Sequence, residues 1–194
     1  MACELYPVLA AAGGARVVVD SSAGHLLSGF RWQNPRFRTG YDKWLAYGQS
    51  KTANVLFAKQ FDTLGAGDGV RAFALHPGKV STGLRRELSR AGQVERGWVD
   101  EHGNVIGADF KSASQGAATG LWAATSALLD DRGGRYLENC DVAEVCSSGA
   151  VDDDGVSEEA IDPAAAARLW ELSVAATGSG MFGSGAGARK TVSR

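Results

Sequence analysis

AYGQSK, residues 46–51, sets a tyrosine and a lysine four positions apart. Residues at that spacing share one face of an α-helix, so Tyr47 and Lys51 can serve a single site. The stretch lies within residues 41–64, where Ala53, Leu56, Phe57, Phe61 and Leu64 recur at the helical period and predict one amphipathic helix. Counted from Tyr47 at about 100° per residue, Lys51 falls at about 40° and the apolar stripe is centred at about 250°. The pair therefore points away from the packing face. A phenol gives up its proton only at about pH 10, and a nearby ammonium favours the phenolate, so acid–base chemistry has a reason to want these two residue types at this spacing. For the pair taken alone, a solvated i,i+4 couple is the competing reading.

The flanking sequence supplies company for it. RVVVD, residues 16–20, is a β-branched run that predicts a strand buried on both faces. It is preceded by the end of a helix (residues 5–12), which Gly13-Gly14 stops. Ser21 and Ser22 stand at the strand's C-terminal end, where open α/β sheets place their ligands. A serine hydroxyl there can hydrogen-bond a substrate oxygen that gains charge during reaction. A second strand is predicted over residues 70–75 (VRAFAL), ending in His76-Pro77-Gly78 on the same side of the sheet. A polar stretch rich in Arg and Gly then runs to about residue 111. A helix over 112–129, a strand over 134–138 (GRYLE) and a last helix over 163–176, with Pro163 in its first turn, complete the pattern. This alternation predicts a doubly wound parallel α/β sheet of about three strands. Residues 17–19 would form an open apolar edge, a feature that proteins normally cover. Another segment, a second copy, or a missing part of the domain is the expected partner there.

Composition narrows the classes. With 194 residues, 44% of them hydrophobic, the chain supports one core, expected over residues 1–177, and a Gly-rich tail over 178–194. A net charge of −2 with interspersed signs excludes a basic nucleic-acid stripe. No apolar run reaches membrane-spanning length, and Glu4 replaces the positive charge a secretory leader would carry. A cytoplasmic protein with no nucleic-acid or membrane partner is expected. Cys3, Cys140 and Cys146 read as reduced thiols. His25, His76 and His102 share no metal-ligand spacing, and residues 152–154 (DDD) read as a solvated loop, so no metal is expected. Trp32, Trp44 and Trp98 read as packing residues, with a substrate pocket as the alternative.

These motifs together resemble the short-chain dehydrogenase/reductase family, and within it the retinol-dehydrogenase-like branch. RVVVDSSAGH is similar to the family's serine strand, AYGQSKTANVLFA to its Tyr-x-x-x-Lys helix, and HPGKVSTGL to its Pro-Gly loop. Ser22 stands 25 positions before Tyr47, longer than the separation near 13 of many members; this spacing and the ANVLF run suggest the branch. The resemblance covers about residues 4–177. It implies an oxidoreductase that moves hydride between NAD or NADP and a carbonyl or secondary alcohol on an apolar small molecule. Tyr47 would be the proton donor or acceptor. Lys51 would acidify it and hold the nicotinamide ribose, and Ser22 would hold the substrate oxygen, with Ser21 its structural neighbour. Pro77, Gly78, Val80 and Thr82 would contact the cofactor, Val80 through its backbone, and residues 83–111 would form the substrate loop. The family's Asn and apolar residue before the two serines are Val19 and Asp20 here. Its opening strand, its T-G-x-x-x-G-x-G turn and its N-N-A-G turn are not in this sequence. Because a Gly-rich turn at a helix N-terminus holds the pyrophosphate, the chain alone is expected to bind the dinucleotide weakly. The alternative expectation is a non-catalytic truncated relative that pairs through its open edge.

Overall fold

The computed structural model describes residues 2–80, 89–95, 97–106, 110–146 and 154–180. Thr82, Asp152, Asp153 and most of the expected tail lie outside them. Strand β1 (Ala15–Asp20) pairs in parallel with β2 (Val70–His76), from Ala15 against Val70 to Asp20 against Leu75. β2 pairs in parallel with β3 (Tyr136–Glu138). A fourth strand, β4 (Asp141–Val142), turns back antiparallel to β3, so the sheet has one strand more than the sequence predicts. The turn between them places Asn139 and Cys140 at φ 49° and 59°. Two successive left-handed residues are what a two-residue hairpin needs, and without glycine that signal is hard to read. A separate pair, β5 (Val145–Cys146) and β6 (Val156–Ser157), runs parallel beside the sheet.

Side chains alternate across the sheet, and the two faces differ in bulk. Ala72 and Ala74 of β2 face helix α2 (Lys43–Gly65), and their small size lets that helix settle close to the strands. Phe73 and Leu75 face the other way and pack with Leu137, Leu129 and Ala123. Ala123 belongs to helix α4 (Ala113–Thr125), which opens with a capping box between Ser112 and Gln115. That helix ends earlier than predicted. Ser126 stops it and caps a short 3-10 turn by accepting from the Leu128 amide.

Asp42 caps α2 by accepting from the Trp44 and Leu45 amides. The buried surface of α2 is wider than the single stripe read from the sequence. Val55 and Ala58 press on Ala74 and Tyr136, whereas Leu56 turns toward helix α5 (Pro163–Thr177) and meets Ala165, Ala166 and Leu169. Phe57 stacks on Trp170 at a centroid distance of 5.8 Å. Helix α1 (Ala2–Ala11) closes one end of this layer, with Tyr6 set edge-on to Phe61. Within the stretch expected to be loop, residues 90–95 form a short helix, α3 (Arg90–Glu95), and Val99 bridges to Val105. Trp32 packs at a tilt against Phe30 and beneath the Arg168 guanidinium, which makes it a packing residue.

β1 was expected to be buried on both faces, but it is half-buried: among the described residues nothing pairs with its outer edge. Leu56, in contrast, is 0% exposed between α2 and α5. Leu56→Ala is expected to cost about 2–5 kcal/mol. Urea denaturation followed by circular dichroism will read this as a lower midpoint at unchanged slope.

Candidate active site

The site begins where β1 ends. Ser21 turns inward, is buried, and donates its hydroxyl to the carbonyl oxygen of Lys51 at 2.8 Å. Asn54, one turn later on α2, donates its side-chain amide to the carbonyl of Asp20 at 2.9 Å. These two bonds tie the strand end to the helix that carries Tyr47 and Lys51. The next residue, Ser22, points the other way and caps a 3-10 turn (Ala23–Leu27), its Oγ accepting from the Gly24 amide at 3.0 Å. That bond uses a lone pair and leaves the hydroxyl proton available to an acceptor in front of it.

Two glycines let the turn and the helix meet. A Cβ on Gly24 would stand 2.4 Å from Cε1 of Tyr47 and 3.4 Å from Oγ of Ser22, so the phenol ring edge and the serine oxygen lie around the same point. A Cβ on Gly48 would stand 2.8 Å from the Ser28 amide nitrogen and 2.9 Å from Cβ of Leu27. Lys51 carries its ammonium 5.5 Å from the Tyr47 ring centroid. Tyr47 is 36% exposed, so the phenol faces solvent as well as its neighbours. Ser22, Tyr47 and Lys51, predicted together from the sequence, are brought together here.

The Pro-Gly loop leaves β2 on the same side of the sheet. Gly78 sits at φ +92°, and Lys111 lies across it: a Cβ there would come within 2.7–2.8 Å of the lysine's Cδ, Cε and Nζ. Val80 bridges to Lys111, whose amide donates to the Lys79 carbonyl at 2.8 Å, and the Val80 side chain seats on Gly116 of α4. Lys111 Nζ in turn donates to Asn139 Oδ1 at 2.6 Å. Pro77, Gly78 and Val80 therefore form a braced turn beside the strand ends. Thr82 lies outside the described residues.

Several residues that the sequence did not single out shape this region. Gln49, buried two residues after Tyr47, accepts from the Arg31 amide and donates to the Pro35 carbonyl, pinning the segment between Ser22 and the helix. Tyr136 and Glu138 lie on the α2 side of β3. Burial, with the Glu138 carboxylate and the Tyr47 phenol nearby, pushes the Tyr136 hydroxyl well above the ordinary phenol range. Burial also raises Glu138. Neither the Tyr136 hydroxyl nor Nδ1 of His76 has a hydrogen-bond partner among the described residues. Tyr136 and Glu138 lie about sixty positions from His76 in sequence, so no local pattern links this cluster.

A Rossmann-type open α/β sheet with an alcohol, a phenol and an ammonium gathered at its strand ends is the class these features define. No protein-family model matches the chain. It is 43% identical over 177 residues to a probable oxidoreductase of Streptomyces lividans, covering 88% of this chain and 58% of that protein. It is 34% identical over 160 residues to the short-chain dehydrogenase/reductase prx1 of Penicillium rubens, covering 82% and 46%. With the mouse protein retinol dehydrogenase 12 the identity is 33% over 159 residues, covering 82% and 44%. Among solved structures, a putative uncharacterized protein from Mycobacterium paratuberculosis superposes with a TM-score of 0.57 at 28% identity, over 87% of this chain and 52% of that one. A gluconate 5-dehydrogenase from Burkholderia cenocepacia, solved with NADP and tartrate, shares the fold at a TM-score of 0.50 and 18% identity, over 70% and 47%. The relatives it matches include named short-chain dehydrogenase/reductases and retinol dehydrogenases, and the chain spans about half their length. Among the described residues no helix is long and apolar enough to cross a membrane, and no cluster of three or more His, Cys, Asp or Glu is placed to hold a metal.

His76 supplies a pH test of this arrangement. Burial first, and then the Lys111 ammonium, push it down from 6.5 to about 4. The unfolded chain takes up the proton at the higher value, so the stabilisation from neutral His76 is fully present above pH 6.5 and is lost as pH falls toward 4. Urea midpoints measured at several values across that window should fall steeply in the wild type and less steeply in His76→Asn.

Proposed function

We propose that this chain carries the substrate and nicotinamide half of an NAD(P)-dependent oxidoreductase acting on a carbonyl or secondary alcohol of an apolar small molecule. The observation that carries the reading is the shared position of Ser22 Oγ and the Tyr47 ring edge around Gly24, with the Lys51 ammonium 5.5 Å from that ring. The residues present fit the nicotinamide end of such a cofactor. A half-exposed phenol, an ammonium, a serine with its proton free, and a glycine at φ +92° offering backbone all lie along the strand ends. Lys51 would hold the ribose, and Pro77, Gly78, Val80 and Thr82 would line the nicotinamide. When bound, the cofactor supplies or takes up the hydride.

The chain's own groups handle the oxygen and the proton. In reduction the Ser22 hydroxyl donates a hydrogen bond to the carbonyl oxygen, whose charge grows in the transition state. Tyr47 then gives that oxygen its proton, and in oxidation it takes the proton back. The Lys51 ammonium stabilises the phenolate that is left. The apolar substrate is proposed from the similarity to a protein named retinol dehydrogenase. The Gly-rich pyrophosphate cradle is not among these residues, and much of a dinucleotide's binding energy resides there. The chain by itself is expected to bind NADH and NADPH weakly, and micromolar binding by fluorescence titration would overturn that expectation.

Activity is tested by co-expressing the chain with the segment of the Streptomyces lividans relative that it does not match. Cofactor-dependent turnover of a panel of apolar ketones and secondary alcohols is expected, and Tyr47→Phe should lower it by about a hundredfold to ten-thousandfold. Turnover indifferent to Tyr47 would sink the reading. Among the described residues nothing pairs with the outer edge of β1, which favours a second reading, a non-catalytic chain that pairs there with itself or a partner. It predicts a strand-paired oligomer on size exclusion, with no turnover in the complemented sample.

A further inference from the structure

His25 is 1% exposed, and the chemistry above makes no use of it. It lies three residues past Ser22, inside the 3-10 turn, and its ring makes one hydrogen bond at each nitrogen. Nδ1 is 2.7 Å from the carbonyl oxygen of Ser22 itself. Nε2 is 3.3 Å from the amide nitrogen of Ser157, in β6, 132 positions away along the chain. A carbonyl can only accept and an amide can only donate, so these partners together dictate the ring's state: a proton on Nδ1 and none on Nε2. The backbone of His25 is held as well. Its carbonyl accepts from Thr52 Oγ1 at 3.1 Å, and the same hydroxyl reaches the Ser28 carbonyl at 2.8 Å. The imidazole rests on the Tyr136 ring at a centroid distance of 4.9 Å.

We propose that His25 is the positioning residue of the serine turn: as the neutral Nδ1–H tautomer it ties the Ser22 carbonyl to the backbone of β6 and so sets where the Ser22 hydroxyl stands beside Tyr47. The turn is otherwise a single 3-10 coil with one cap bond, a weak device for holding a side chain in one place. Through His25 it gains anchors on α2, β3 and β6, three elements that the chain order alone would not bring to it. A second proton on the ring would aim Nε2–H at the Ser157 N–H, setting donor against donor and releasing the β6 anchor. Burial lowers the histidine below its ordinary range, in keeping with a ring that stays neutral. The titratable groups around it are Tyr47 with Lys51 behind it on α2, His76 on β2 and Tyr136 on β3. Glu159, beyond β6, accepts from the Phe30 amide just after the turn.

The meaning of this device for catalysis rests on the role proposed for Ser22, but its test needs no turnover. The full chain, labelled with nitrogen-15 in histidine, is followed by long-range proton–nitrogen spectra from pH 5 to 8, with the His25 signals assigned by their loss in His25→Asn. The expected signature is a protonated Nδ1 and a bare Nε2 throughout. An Nε2–H tautomer, or an imidazolium at pH 6 to 7, overturns the proposal. Amide exchange gives the second readout. His25→Phe keeps a ring but no hydrogen bond, and should speed exchange across residues 22–27 by about tenfold or more, while α5 is unchanged. His25→Asn, which restores only the donor to Ser22, should recover part of that protection. Unaltered exchange in a folded His25→Phe variant also overturns the proposal. If that variant does not fold, the tautomer and the Asn variant decide. Loss of turnover in the complemented enzyme with both signatures intact would count against the reading of Ser22 and leave the anchor standing.

Discussion

The site depends on the strand end of β1 being sewn to α2 at one level. Ser21 donates to the Lys51 carbonyl and Asn54 to the Asp20 carbonyl, and both acceptors are backbone oxygens. Main-chain anchoring matters because it fixes the relative height of strand and helix regardless of the side chains that carry the chemistry. Given that level, Ser22 and Tyr47 have little choice but to face one another across Gly24. A buried hydroxyl–carbonyl bond is worth only about 1 kcal/mol net, yet leaving either partner unpaired costs more. The stitch is therefore a specifying device more than a stabilising one.

Packing reinforces the same geometry. The alternation of Ala72 and Ala74 with Phe73 and Leu75 in β2 makes a sheet with one shallow and one deep face. α2 lies on the shallow face, where a close approach suits a helix whose first half must project functional side chains past the strand tips. Gly48 does for the helix what the two alanines do for the strand, since any Cβ there would meet the turn after Ser22. On the deep face, bulky residues and the Arg16 contacts to the Ala123 and Ser126 carbonyls hold α4 to the sheet. The candidate-site end of the domain is thus framed by small residues, with bulk reserved for the far side.

How much of this was readable in the sequence follows from how local each signal is. Tyr47 and Lys51 share a helical face by spacing alone, and the paired serines follow a β-branched run, so both were legible. The split between Ser21 and Ser22 came from the family resemblance, and the structure adds its physical side: Ser21 is tied to the Lys51 carbonyl while Ser22 caps the turn. His25 was not legible, because its meaning lies in a bond to Ser157, and no periodicity links positions so far apart. β4 was missed because two residues carry no pattern and its turn uses Asn139 and Cys140 in place of glycine. The helix break at Ser126 was hidden by apolar residues continuing through Leu128 and Leu129, although only Leu129 reaches the core from the 3-10 turn. The Tyr136–His76–Glu138 cluster was hidden because it joins residues of two strands about sixty positions apart, a pairing that no local pattern announces.

The bridge between Val80 and Lys111 has a consequence of its own. It clamps both ends of a long excursion against the Pro-Gly turn, with Lys111 further tied to Asn139 and Val80 to Gly116. A chain pinned at two neighbouring points pays for extra length only logarithmically, about 0.6 kcal/mol for each doubling. Whatever sequence is strung between those pins can lengthen, shorten or change composition without moving Ser22, Tyr47 or Lys51. Under the function proposed above, the stretch that would choose the substrate is mechanically uncoupled from Ser22, Tyr47 and Lys51, so one reaction centre could serve many differently shaped molecules.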